Sequence, residues 1–157
     1  MSNANNNRQW VRYFLISAGI LLLVTSVAKF ISAGGSARIL ENPDPVFAIS
    51  FRYVFWFVGA IETIIALVCF FDKRLGLQAS LVAWLATSLL FYRFGSVLVG
   101  YHKPCNCLGN LTDALRISPQ TADTTMKIIL AYLLIGSYST LFWLWRQRKR
   151  ASTSALA

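Results

Sequence analysis

The chain has 157 residues, of which 56% are hydrophobic and only 13% charged, and it carries a net charge of +9. A soluble domain is about 45–50% apolar and about 25% charged, so this composition excludes an ordinary soluble domain and indicates an integral membrane protein. The length suits one domain.

The apolar excess lies in four blocks, each near the roughly 20 residues that a helix needs to cross a bilayer. The first runs from Tyr13 to Ile31 and contains one charge, Lys29. The second runs from Tyr53 to Phe71, interrupted by Glu62. The third runs from Leu75 to Val99 and holds Arg93, and the fourth runs from Ile128 to Trp145 without a charge. In lipid each segment must satisfy its own backbone hydrogen bonds, so the blocks read as helices. Barrel strands would alternate apolar and polar residues, and the run "ISAGILLLVTSVA" does not. The first block also has features of a signal peptide, but Lys29 falls awkwardly between its apolar core and a cleavage site, so it reads as a retained helix.

The expected fold is an all-α membrane protein, a four-transmembrane-helix bundle with spans at about 12–32, 52–71, 76–99 and 127–146. Residues 1–11 read as a disordered cytoplasmic tail and 147–157 as a basic cytoplasmic tail. Arg8, Arg12, Lys73, Arg74, Arg146, Arg148, Lys149 and Arg150 share one side of such a bundle. Arg38, Arg52, Lys103, Arg116 and Lys127 share the other, over longer segments. The positive-inside rule then puts both termini in the cytoplasm of a bacterial inner membrane. The run "RQRKR" reads as a topology anchor on anionic lipid, not as a nucleic-acid site.

That topology puts residues 100–127 in the periplasm, in a loop long for its position. "NLTDALRI" within it suggests a short surface helix between the third and fourth spans, capped by Asn110 or Thr112. The same loop carries Cys105 and Cys107, one residue apart, in "YHKPCNCLGN". Disulfides persist in the periplasm. A bridge across a single residue must be tense, and strained, exposed disulfides are the labile or catalytic ones. His102 and Lys103 nearby favour a thiolate. Thiolates also suit a soft metal, with His102 as a third ligand, and a structural role is a further alternative. Cys69, in the second block, reads as a small buried hydrophobe.

Ionisable residues within spans are functional candidates by default. At 1.5 Å per residue, Glu62 lies about 13 Å from the cytoplasmic edge, while Lys29 and Arg93 lie at about 25 Å. On that count Lys29 and Arg93 snorkel to the outer surface. Glu62 is instead expected to hydrogen-bond Ser137 or Tyr138 of the fourth helix. It then serves as an interhelical clamp or a proton relay. Arg93 with Tyr92, Tyr101 and Lys103 forms a basic, aromatic patch that fits a quinone headgroup or an anionic partner, with interfacial anchoring as the alternative. Gly19, Gly59, Ala60, Gly95 and Gly136 are candidates for close helix contacts.

These features together resemble the MauE/DoxX-type redox-associated membrane proteins. The resemblance rests on "SVAKF" at 26–30, "VGAIETIIAL" at 58–67 and Cys105-Asn106-Cys107-Leu108-Gly109. It spans about residues 13–145, and Leu108 stands where the family usually has Phe. The resemblance implies four helices and thiol–disulfide or electron transfer by Cys105 and Cys107. Pro104, Gly109, Lys29, Glu62 and Arg93 are then supporting residues. The sequence shows no thioredoxin domain and no second extracytoplasmic cysteine pair, so a periplasmic thioredoxin-like or cysteine-containing partner, or a quinone, is expected to supply or take the electrons. A non-enzymatic membrane subunit or assembly factor is the rival reading.

Overall fold

The structure, a computed structural model, describes residues 2–35, 44, 49–100 and 118–154, with side chains described over 8–35, 44, 49–100, 118 and 120–149. Four helices account for it: α1 (Ser2–Gly34), α2 (Phe51–Phe71), α3 (Leu75–Leu98) and α4 (Pro119–Ser154). Each contains a stretch long and apolar enough to span a membrane, and no strand element occurs among the described residues. The expected all-α, four-span membrane fold is therefore present. The expected surface helix lies outside the described residues.

Helix ends follow local chemistry. Ser118 accepts the Thr121 N–H through its Oγ at 3.2 Å, and Pro119 occupies the first helical position, where its missing N–H costs nothing. α4 therefore begins at Pro119 rather than near residue 127, and residues 119–127 are its first turns rather than loop. α3 stops at Gly100, whose φ of +78° is the left-handed conformation that glycine takes after a helix. α2 and α3 are joined by Asp72, Lys73 and Arg74, a turn closed by the Arg74 N–H donating to Asp72 Oδ1 at 2.8 Å. Across it, the buried Gln78 amide reaches the carbonyls of Val68, Cys69 and Asp72 at 3.1, 3.2 and 2.7 Å. One side chain of α3 thus serves three carbonyls at the end of α2, where helical partners run out. Helix α1 continues through residues 2–11 and α4 through 147–154, stretches that read as tails. Neither stretch contains the Gly or Pro that would stop an adjoining helix.

α1 packs along α2 and α3 along α4, with less contact between these two antiparallel hairpins. All four meet in one core: Ala18 and Leu22 of α1, Ile65, Ala66 and Cys69 of α2, Val82, Leu85 and Ala86 of α3, and Leu133 of α4. Cys69 is a free, buried thiol there, as expected. Small residues bring the helices close, as lipid-embedded packing requires. A Cβ on Gly19 would meet Cys69 Cβ at 3.1 Å, one on Gly59 would meet the Phe30 ring at 2.9 Å, and one on Gly136 would overlap the Phe14 ring. Ala60 is exposed and does not share this role.

The bundle has two unlike ends. At the turn end lie the α2–α3 turn, the N-terminal part of α1 and the C-terminal part of α4. At the connection end α1 passes to α2 and α3 passes to α4.

Candidate functional site

Two of the buried charges belong to α1 and α2 and meet each other. Lys29 Nζ donates to Glu62 Oε1 at 2.9 Å and to Oε2 at 2.8 Å, and the two side chains are only 7% and 2% exposed. Thr25, one turn before Lys29, shares its proton between Glu62 Oε2 at 3.1 Å and the Leu22 carbonyl at 3.0 Å. Every described contact to Glu62 is a donor aimed at a carboxylate oxygen, so the group acts as an acceptor.

This corrects the expectation that depth separates Lys29 from Glu62. The Gly19–Cys69 contact puts the end of α2 level with about residue 17 of α1, not with Arg12. Arg12 thus lies roughly 8 Å beyond the end of α2, and α1 runs on further still. The remaining difference in depth is within the reach of a lysine side chain. Lys29 is therefore buried rather than snorkelling. The fourth helix does not hold Glu62: Ser137 Oγ donates to Leu134 O at 3.2 Å, and Tyr138 bonds Thr87 at 2.9 Å.

A hydroxyl cluster adjoins the pair. Ser26 Oγ and Thr63 Oγ1 lie 2.6 Å apart, and both reach the Gly59 carbonyl, at 2.8 and 2.9 Å. One of the two protons serves the carbonyl and the other joins the hydroxyls. Thr25, Ser26, Lys29 and Ser32 make a buried polar stripe on α1. Its helical spacing was the signal that could have shown which face of α1 meets Glu62.

A second charged cluster joins α3 to α4. Arg93 pairs with Asp123, whose other oxygen takes Lys127 Nζ at 2.8 Å. Arg93 is thus bonded within the protein, not free at the surface. Its partner was missed because residues 119–127 read as loop. "SPQT" at 118–121 was the available helix-start signal. Tyr92 donates its hydroxyl to the buried Asp44. Of the expected patch of Arg93, Tyr92, Tyr101 and Lys103, the two described members, Tyr92 and Arg93, are each engaged by a carboxylate. Arg52 donates to the Gly35 carbonyl at 3.2 Å.

His102, Lys103, Pro104, Cys105, Cys107 and Gly109 lie outside the described residues, as does Tyr101, so the soft-metal alternative lies there too. Among the described residues no three His, Cys, Asp or Glu side chains come together as a metal site.

The family model described as "Methylamine utilisation protein MauE" matches residues 9–146. The chain belongs to the MauE family. No curated protein and no solved structure matches it. The MauE match takes in the whole spans of α2 and α3, nearly all of those of α1 and α4, the Lys29–Glu62 pair and the stretch with Cys105 and Cys107.

Proposed function

We propose that this MauE-family protein is a membrane thiol–disulfide exchange protein that uses Cys105 and Cys107 to oxidise a periplasmic partner. The observation that carries this reading is the Arg93–Asp123–Lys127 cluster. It ties the last turns of α3 to the first turns of α4, the two helix ends between which the cysteine stretch is strung. The Lys29–Glu62 pair holds α1 on α2 in the same half of the bundle. The basic residues gathered at the turn end favour a cytoplasmic location for that end. The cysteines then face the periplasm of a bacterial inner membrane.

In the exchange, a partner thiolate attacks one sulfur of the Cys105–Cys107 disulfide and the other sulfur leaves as thiolate. The partner's second thiolate attacks the mixed disulfide. The partner leaves oxidised by two electrons, and Cys105 and Cys107 are left as a dithiol. A membrane quinone takes up those two electrons with two protons and restores the disulfide. The family's description, "Methylamine utilisation protein MauE", supports a role in methylamine utilisation, and on this reading the partner is a periplasmic cysteine-containing protein.

The test is the redox state of the pair in membranes. Cells carrying Cys69→Ala are acid-quenched and their free thiols mass-tagged. An oxidised pair, with Cys105→Ser trapping a mixed disulfide through Cys107, is the expected result. Two free thiols unmoved by oxidant would exclude turnover and leave a docking or metal-binding loop.

A further inference from the structure

The turn end carries a groove of about 1160 Å³ that the reading above does not use. Three separate parts of the chain supply its cations: Arg8 from α1, Lys73 and Arg74 from the α2–α3 turn, and Arg148 from α4. Its apolar wall includes Leu77, Leu141 and Trp143. Leu141 and Trp143 also pack on the small cluster of Val11, Leu15 and Ala79 beneath, so the wall is part of the folded bundle.

The electrostatics are one-sided. No carboxylate lines the groove, and none of its four cations forms an ion pair among the described residues. Asp72 adjoins it but accepts the Arg74 backbone N–H at 2.8 Å. The Arg148 guanidinium lies against the first turn of α3, 3.6 Å from where a Cβ on Gly76 would sit. A guanidinium thus faces the positive end of a helix dipole. Such a gathering of like charge favours an anion among them.

Position selects the kind of anion. The spans of α1, α3 and α4 end within this region, at Arg8, Leu75 and Lys149. The cations therefore sit at headgroup level and the apolar wall at acyl level. Basic pockets between helices at that depth bind anionic lipid headgroups. We infer that this groove is a binding site for an anionic phospholipid, its phosphate held by Arg74 and Arg148 with Arg8 and Lys73 beside them. Its acyl chains run along Leu77 and Leu141. The site lies at the opposite end from the helix ends that carry the cysteine stretch, so its test and the thiol test are independent.

The experiment titrates phosphatidylglycerol, phosphatidylcholine or inorganic phosphate onto the full chain in detergent, with native mass spectrometry as the readout. The wild type is expected to retain phosphatidylglycerol over phosphatidylcholine. Arg74→Gln/Arg148→Gln should bind it about 30-fold more weakly, from about fivefold per cation at a membrane surface. Arg146→Gln/Lys149→Gln removes the same charge outside the groove and should bind like wild type. Equal loss in both double variants, or none in the first, would overturn the site. Inorganic phosphate displacing the lipid at equal concentration would overturn the lipid assignment. Should the first double variant not fold, Arg148→Gln alone is expected to lose about fivefold.

Discussion

The two ends of the bundle treat positive charge in opposite ways. At the connection end Lys29, Arg93 and Lys127 are each paired with a carboxylate, and Arg52 is bonded to a carbonyl. At the turn end Arg8, Lys73, Arg74 and Arg148 gather around one groove without a carboxylate in its lining. Arg146 and Lys149 there lie over the rings of Phe142 and Trp145, at 4.7 and 4.1 Å. The difference follows from what surrounds each charge. A charge inside the apolar layer finds no counter-ion in lipid, so the protein must supply one. A charge at headgroup level can leave that to water and phosphate.

The sharpest way to break this comparison is to remove one member of the buried pair. Lys29→Met leaves Glu62 unpaired and should destabilise by about 3–5 kcal/mol, whereas Lys29→Met/Glu62→Met should recover most of that loss. Unfolding in mixed micelles measures both. A double variant as unstable as the single would mean that Lys29 and Glu62 are not each other's main partner.

The spans were legible because an apolar run long enough to cross a bilayer states its own length. Lys29 and Glu62 were legible as candidates because charge in such a run is rare. Their contact was not. Depth along each apolar run is comparable only if the two helices end level, and α1 runs on past the end of α2. Arg93 stands out within an apolar run and Asp123 does not, because apolar content marks where a span enters lipid rather than where its helix starts. Ser118 and Pro119 set that start. The groove was less legible still. It needs Arg8, Arg74 and Arg148 brought together by folding, and no single window of sequence contains them.

The second prediction weakens the connection end without emptying it. Asp123→Asn removes the carboxylate shared by Arg93 and Lys127. The cluster is only partly buried, at 24% exposure for Arg93 and 16% for Asp123. The loss should be about 1–2 kcal/mol, between a charged hydrogen bond and a surface pair. High salt should shrink it, while the Lys29→Met defect should hardly change. A defect in Asp123→Asn that ignores salt would place the cluster with the fully buried pair. Smaller again is Thr25→Val, which removes one donor to Glu62 and should cost about 1 kcal/mol, since both lysine bonds remain.

The smallest effect on stability belongs to the turn end, and there its sign carries the information. Arg74→Gln/Arg148→Gln breaks no ion pair among the described residues, so in neutral detergent stability should stay within about 0.5 kcal/mol of wild type. Any change should favour the variant, because removing two of four gathered cations relieves repulsion, and added salt should erase that gain. In bilayers containing phosphatidylglycerol the order should reverse, since a ligand that binds only the folded protein stabilises it, and the variant has lost the cations that hold the phosphate. Thermal unfolding in the two media decides the matter. A variant less stable by the same amount in both would show that Arg74 and Arg148 are bonded within the protein, and the contrast between the two ends would fall.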